Sequence, residues 1–135
     1  MRAIRRRSDC PISSALDIFG DKWSLLVLRD LLFQGKGQFT ELLRAEERIA
    51  SNVLADRLQR LEHSGLVDKV PGPTGRERTT YVPTEKARDL VPTMLELMAW
   101  SAAHVPGTTA PPELISAIKN DRAAVFDHVR RAGRL

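Results

Sequence analysis

Cysteine is almost missing from this chain. Cys10 is the only one in 135 residues, so no intrachain disulfide can form, and a reducing cytoplasm is the expected setting. Aromatic residues are scarce at 5%, which leaves Leu, Val, Ile and Ala to build any core. No apolar run approaches the ~20 residues that a helix needs to cross a bilayer. The start of the chain carries Arg2, Arg5, Arg6 and Arg7 where an export signal needs an apolar stretch, so neither membrane nor export is expected. A Gly-rich phosphate loop, a nucleophile elbow and paired carboxylates are also missing, which makes an enzyme the weakest functional class. His63, His104 and His128 stand at no metal-ligand spacing with one another or with Cys10, and no metal or cofactor is expected.

What is present suits one globular domain with terminal appendages: 42% of residues are hydrophobic, enough for a core. The formal net charge is +4, yet its placement is uneven. Four of the positive charges lie in the first seven residues, and from Gln34 to Tyr81 eight Lys/Arg stand against seven Asp/Glu. Net charge therefore does not by itself identify a nucleic-acid partner, and the placement of single charges has to.

Helix signals fill the first third. Asp9 or Cys10 can cap a helix opened by Pro11, with Ile12, Ala15, Leu16 and Phe19 at helical spacing and Gly20 at its end. Asp21 is a good cap for a second helix, Lys22 to Phe33, apolar on most sides and so expected to be buried. After Gln34-Gly35-Lys36-Gly37 a short helix carries Phe39, Leu42 and Leu43 and ends near Glu46. A turn around Arg48-Ile49-Ala50 leads to a longer helix, Ser51 to His63, stopped by Gly65. At about 100° per residue Leu54, Leu58 and Leu61 share its inner face, while Asn52, Asp56, Gln59 and His63 face outward. The period then changes: Leu66, Val67, Val70 and Thr79, Tyr81, Val82 flank Pro71-Gly72-Pro73-Thr74-Gly75 and read as a β-hairpin. Thr84 caps a long amphipathic helix that Pro92 should kink or divide. Residues 107–112 read as a linker, followed by two helical pieces around Leu114, Ile115, Ile118 and Val125, Phe126, Val129.

This order predicts a mainly α fold with a small β-hairpin, a winged helix-turn-helix. The short helix would support the helix from Ser51 to His63, which the major groove is wide enough to accept. Candidate DNA contacts follow from that placement. Ser51 and Asn52 stand at the start of the recognition helix, and Gln59 on its outward face. Arg57 and Arg60 lie nearer the core edge, where they touch phosphate or pair with an acid such as Glu41 or Glu62. Lys36, Gln38 and Thr40 lead into the support helix, and Arg76 and Arg78 sit at the wing, where strand alternation would put both on one side. The arm of residues 1–8 is either a flexible phosphate-attracting tail or merely solvated. Helix-hairpin-helix orders also occur in domains that bind only protein, so a dimeric sensing or interaction module that has lost DNA binding is the second reading.

Cys10 has two readings as well. It precedes a helix N-terminus beside an arginine cluster, which favours a reactive thiolate, and it is also small enough to be a packed interface residue. Apolar side chains Leu97, Met98, Trp100 and Trp23 mark either an effector pocket between the long helix and the core, or the core itself.

Several segments together resemble the HxlR family of bacterial transcriptional regulators, related to the MarR group. They are Cys10-Pro11, the run from Ala15 to Trp23, Leu28-Arg29-Asp30-Leu31-Leu32, Phe39-Thr40-Glu41-Leu42, the run from Ile49 to Leu54 with Arg57-Leu58, Leu61-Glu62 with Gly65-Leu66-Val67, Tyr81 before Pro83-Thr84, and Trp100. The resemblance spans roughly residues 9 to 104. It implies a homodimer on a palindromic operator of double-stranded DNA, with Ile12 to Phe19 and Leu90 to Val105 at the dimer interface, and some regulators of this kind sense oxidants or electrophiles through a cysteine at the place of Cys10. The chain is expected to divide into an arm (1–8), a winged domain with dimerisation helices (9–106) and a linker with a C-terminal helical extension (107–135), a tail longer than the family minimum about which the resemblance says little. Ala50 stands where many members carry Ser or Thr, so the helix cap is expected to pass to Ser51.

Overall fold

A computed structural model describes residues 3–75 and 78–135. Among the described residues eight helices and two strands follow in the order α1 (Pro11–Phe19), α2 (Ser24–Phe33), α3 (Phe39–Leu42), α4 (Ser51–His63), β1 (Val67–Val70), β2 (Thr80–Pro83), α5 (Glu85–Arg88), α6 (Val91–His104), α7 (Pro112–Asn120) and α8 (Arg122–Ala132). The fold is the winged helix-turn-helix that the sequence predicts.

The centre is α2, which buries Ser24, Val27, Leu28, Asp30, Leu31, Leu32 and Phe33 and packs against α4, β2 and α6. It starts two residues later than expected because Asp21 caps from outside the helix. Its Oδ1 accepts the Trp23 and Ser24 amides at 2.8 and 2.9 Å. Helix α3 is a single turn that stops at Leu42 instead of continuing to Glu46. The chain then bends through Arg48, which holds φ 59, a left-handed conformation that side chains other than Gly adopt at a cost. That bend aims α4. Leu54, Leu58 and Leu61 hold α4 against the core, and a Schellman end stops it. The Leu66 amide bonds the Leu61 carbonyl at 2.9 Å and the Gly65 amide bonds that of Glu62 at 3.0 Å, with Gly65 at φ 77.

Strands β1 and β2 pair antiparallel, Val67 opposite Pro83 through Val70 opposite Thr80. The wing is tied to the entry of α3: Gln38 bridges Thr80, and the Tyr81 amide donates to the Gly37 carbonyl at 2.8 Å. A Cβ on Gly37 would lie 3.0 Å from Thr80 Cγ2 and 3.2 Å from the Tyr81 carbonyl oxygen, so a side chain there would push the wing away.

Pro92 divides the long C-terminal segment. Thr84 Oγ1 caps the short α5 through the Ala87 amide, and α6 begins with Pro92 in its first turn. Helices α7 and α8 return onto α6 and add Ile118 and Val129 to the core. The end of the chain reaches α2, where the Leu135 amide bonds the Phe33 carbonyl at 3.1 Å.

Candidate nucleic-acid interface

Three elements set the angle of α4. The first is its apolar face. The second is Arg57, whose Nε donates to Asp21 Oδ1 at 3.0 Å and which also pairs with Asp56. Its acids are thus Asp21 and Asp56, not the Glu41 or Glu62 expected from sequence, because the inner flank of α4 faces the start of α2. The third is Arg29 on α2, whose two Nη atoms grip Glu47 at 2.7 and 2.9 Å while its Nε holds the buried Asp30 at 3.0 Å. Glu47 immediately precedes the left-handed Arg48, so this fork fixes the turn itself. Arg29 holds the Glu47 carboxyl below the usual range, and the two carboxylates raise the Arg29 guanidinium above its own. Nothing in the spacing of Arg29 announces this role; it emerges only once the turn is closed.

Ser51, Asn52, Asp56 and Gln59 are exposed along α4, and Arg57 and Arg60 are half-buried. The cap does not pass to Ser51. Ala50 occupies the N-cap position, Ser51 lies inside the helix, and no side chain caps the start of α4. The first amides of this helix therefore keep their hydrogen-bonding capacity toward solvent.

Gln38, Thr40 and Arg78 meet where the wing joins the support helix. Gln38 Nε2 donates to Thr80 Oγ1 at 3.0 Å, and Arg78 Nη1 donates to Thr40 Oγ1 at 3.2 Å. Arg78 precedes β2, so strand alternation does not govern its direction; Thr40 does. Arg76 lies outside the described residues. Lys36 is half-buried near Arg29, Arg44 and Glu47 in a polar hollow.

The apolar residues separate. Leu97 and Met98 line a pocket of about 240 Å³ with Leu25, Arg29, Phe33 and Met94, between α2 and α6. Trp100 does not join them: it is 59% exposed and packs on His104. Trp23, just before α2, packs on the core outside this pocket, with Lys22 Nζ 5.1 Å from its ring centre. Neither tryptophan therefore lines this pocket: Trp23 stands before α2 and Trp100 faces solvent. On the outer surface Ile12 (72%) and Leu16 of α1 and Leu97, Trp100 and Val105 at α6 remain exposed, and α1 buries no residue at all. Cys10 is exposed as the N-cap of α1, immediately before Pro11.

Sequence reasoning also missed an anchor in the arm. Arg7 Nε donates to Asp17 Oδ1 at 2.5 Å, which places residues 3–7 beside α1 and α4. Among the described residues no cluster could hold a metal ion and no helix is long and apolar enough to cross a membrane.

A family model described as HxlR-like helix-turn-helix matches residues 18–109. The match leaves Cys10 outside and ends in the segment between α6 and α7. The HTH-type transcriptional regulator Rv3095 of Mycobacterium tuberculosis is 37% identical over 101 residues, which is 75% of this chain. The chain spans 63% of the length of that relative. Among solved structures, PA1607 aligns with a TM-score of 0.70 and 30% identity over 78% of this chain and 74% of its own. The reduced form of the transcriptional regulator YodB from Bacillus subtilis aligns with a TM-score of 0.62 and 26% identity over 76% of this chain and 100% of its own, and YodB is also known with a quinone bound. With the fold, the order of elements and the family match in agreement, the chain belongs to the HxlR-like helix-turn-helix family.

Proposed function

We propose that this chain regulates transcription by binding a palindromic operator as a homodimer, with α4 in the major groove. The observation that carries this reading is the division of α4. It buries Leu54, Leu58 and Leu61 while presenting Ser51, Asn52 and Gln59 outward from an end that no side chain caps. Such an end offers backbone N–H groups to phosphate and short polar side chains to base edges. Thr40 and Arg78, joined at 3.2 Å, supply a phosphate contact where the wing meets the support helix, with Lys36, Gln38 and Arg60 at the margins. Arg57, held by two acids, chiefly positions the helix.

Dimerisation is supported by the apolar residues left in solvent on α1 and α6. Ile12, Leu16, Leu97 and Trp100 form an exposed set of the kind that marks an interface. The same reading makes Cys10 the redox-responsive residue, through an intersubunit disulfide, a mixed disulfide or addition of an electrophile to its thiolate; the reduced and quinone-bound forms of YodB support a redox or quinone response in general. A small apolar effector would bind in the Leu97–Met98 pocket, whose lining is largely apolar.

The test is selection of bound genomic fragments, followed by titration of the best fragment against salt. A specific regulator enriches a palindromic sequence and loses affinity steeply as salt rises. The nearly balanced charge from Gln34 to Tyr81 keeps open the second reading, a sensing or interaction module without DNA binding, and failure to enrich any fragment would favour it.

A further inference from the structure

The N-terminal arm is docked beside α4. Arg7 is its anchor: besides the Nε contact to Asp17 Oδ1, its backbone amide reaches Asp17 Oδ2 at 3.4 Å. The Asp17 side chain is only 8% exposed, whereas that of Arg7 is 65% exposed, so the acid is fixed in α1 and the arm is fastened to it. Beyond this point Ile4 and Arg5 face Asp56, Gln59 and Arg60 across a cleft of about 520 Å³. Ile4 and Arg6 border a second hollow with His63 and Ser64 at the end of α4. The arm thus flanks the outward face of α4 along its C-terminal half.

Charge gives this placement its meaning. Within α4, Arg57 and Arg60 are balanced by Asp56 and Glu62, and Arg57 is already committed to Asp21 and Asp56. The helix itself has little cation to offer a phosphate backbone. The arm has it: Arg5 has no ion-pair partner among the described residues, and Arg6 pairs only with Asp9 at 3.1 Å, both side chains being largely exposed. An exposed pair of that kind contributes little, and a phosphate can replace the carboxylate.

We propose that residues 3–7 form a docked DNA-backbone clamp, with Arg5 and Arg6 on phosphates beside the groove that α4 enters and Arg7 as the anchor. This rests on the DNA-binding reading above and adds an element to it. Because the anchor orders the arm before DNA arrives, less side-chain and backbone freedom is lost on binding than for a loose cationic tail.

The full chain is titrated against a fluorescein-labelled random-sequence DNA duplex at several salt concentrations, with anisotropy as the readout. Each phosphate contact adds about 0.9 to the slope of log affinity against log salt. Arg5→Ala/Arg6→Ala together are therefore expected to flatten the slope by about 1.8. Asp17→Asn separates a docked arm from a free one, because it raises the net charge by one. A loose tail would then bind DNA more tightly, whereas a clamp that has lost its anchor binds about two- to tenfold more weakly. An unaltered slope in the double variant, or unchanged or tighter binding by Asp17→Asn, overturns the proposal while the parent still binds DNA. Salt-independent or absent binding by the parent overturns the DNA reading itself and the clamp with it. Arg5 and Arg6 are exposed, so their double variant folds as the parent does; if Asp17→Asn loses thermal stability, Arg7→Ala releases the arm from its exposed side instead, and a slope that falls by no more than the ~0.9 of one lost charge overturns the anchor.

Discussion

Arg57 Nε lies 3.0 Å from Asp21 Oδ1, and this contact fastens the recognition helix to the entry of the central helix. Asp21 simultaneously accepts the Trp23 and Ser24 amides and the Ser24 hydroxyl. Burial alone would raise its carboxyl, but the hydrogen bonds from Ser24, Trp23 and Arg57 outweigh burial and hold it well below the usual carboxylate range. One side chain therefore caps α2 and orients α4.

Replacing that side chain is expected to loosen both. Asp21→Ala should lower stability by about 1–2 kcal/mol, the usual scale for a lost cap. The contribution depends on pH in a defined sense. Because the folded carboxyl titrates below its unfolded value of about 3.9, the stabilisation is fully present above about pH 4 and is lost as pH falls toward the folded value. In urea unfolding the gap between parent and Asp21→Asn should be level from about pH 5 to 8 and close below about pH 4. A gap that persists undiminished down to about pH 2 would remove Asp21 from this role.

Asn52 and Arg78 should fail in different ways when replaced. Asn52 stands exposed in the first turn of α4, where loss of a base contact costs about 1–3 kcal/mol on the preferred sequence only. Arg78 is assigned to phosphate, so Arg78→Ala should weaken all sequences alike and reduce the salt slope by about 0.9. Competition titrations with the selected fragment and a scrambled one distinguish the two. Equal loss of preference in both variants would contradict the division of labour.

Much of this arrangement was legible in the chain. Helix α4 has the expected bounds because Leu54, Leu58 and Leu61 mark one face and Gly65 is a strong stop. The hairpin and the break at Pro92 were likewise dictated by local chemistry. What escaped depended on contacts distant in sequence. Arg57 meets Asp21 across 36 positions, and Arg29 meets Glu47 across 18; neither pairing leaves a periodic trace. The left-handed turn was hidden because Arg48 occupies a conformation that Gly usually signals. Composition groups Trp23 and Trp100 with the effector pocket, whereas Trp23 stands before α2 on the core and Trp100 faces solvent. The arm looked like a tail because Asp17 belongs to the face of α1 that only packing defines.

The exposed α1 and α6 residues predict a concentration-dependent dimer. Leu16 is 48% and Trp100 59% exposed. Covering the half of such a side chain that is still exposed contributes about 0.7–1.5 kcal/mol, and a symmetric dimer covers it twice, so Leu16→Glu should raise the dimer dissociation constant roughly tenfold to a hundredfold. Sedimentation velocity over a dilution series reads this directly. A parent that sediments as a monomer at every concentration excludes the proposed interface.

Cys10 offers a sharper test of regulation than its position alone. If it is the responsive thiol, diamide or benzoquinone changes operator affinity of the parent, and Cys10→Ser abolishes the change. Non-reducing electrophoresis then separates an intersubunit disulfide, which doubles the apparent mass, from an adduct, which does not. Identical responses in parent and Cys10→Ser leave Cys10 as a packing residue.

Ala50 carries the last prediction, because it sets stability against recognition at one position. It holds the N-cap place of α4 in extended conformation, φ −71 and ψ 147, without any side-chain hydrogen bond. A hydroxyl at that backbone geometry can accept the amide of the second or third helical residue. Ala50→Ser should therefore raise stability by about 1 kcal/mol, or roughly 3 to 5 °C in melting temperature. That amide is also one that a phosphate would use. Affinity for DNA should consequently stay level or fall while stability rises, which separates this variant from one that merely orders the helix. Calorimetry and anisotropy on the same preparation give both quantities. A parallel rise in affinity would mean that the start of α4 gains from being ordered and that its amides do not meet the phosphate backbone.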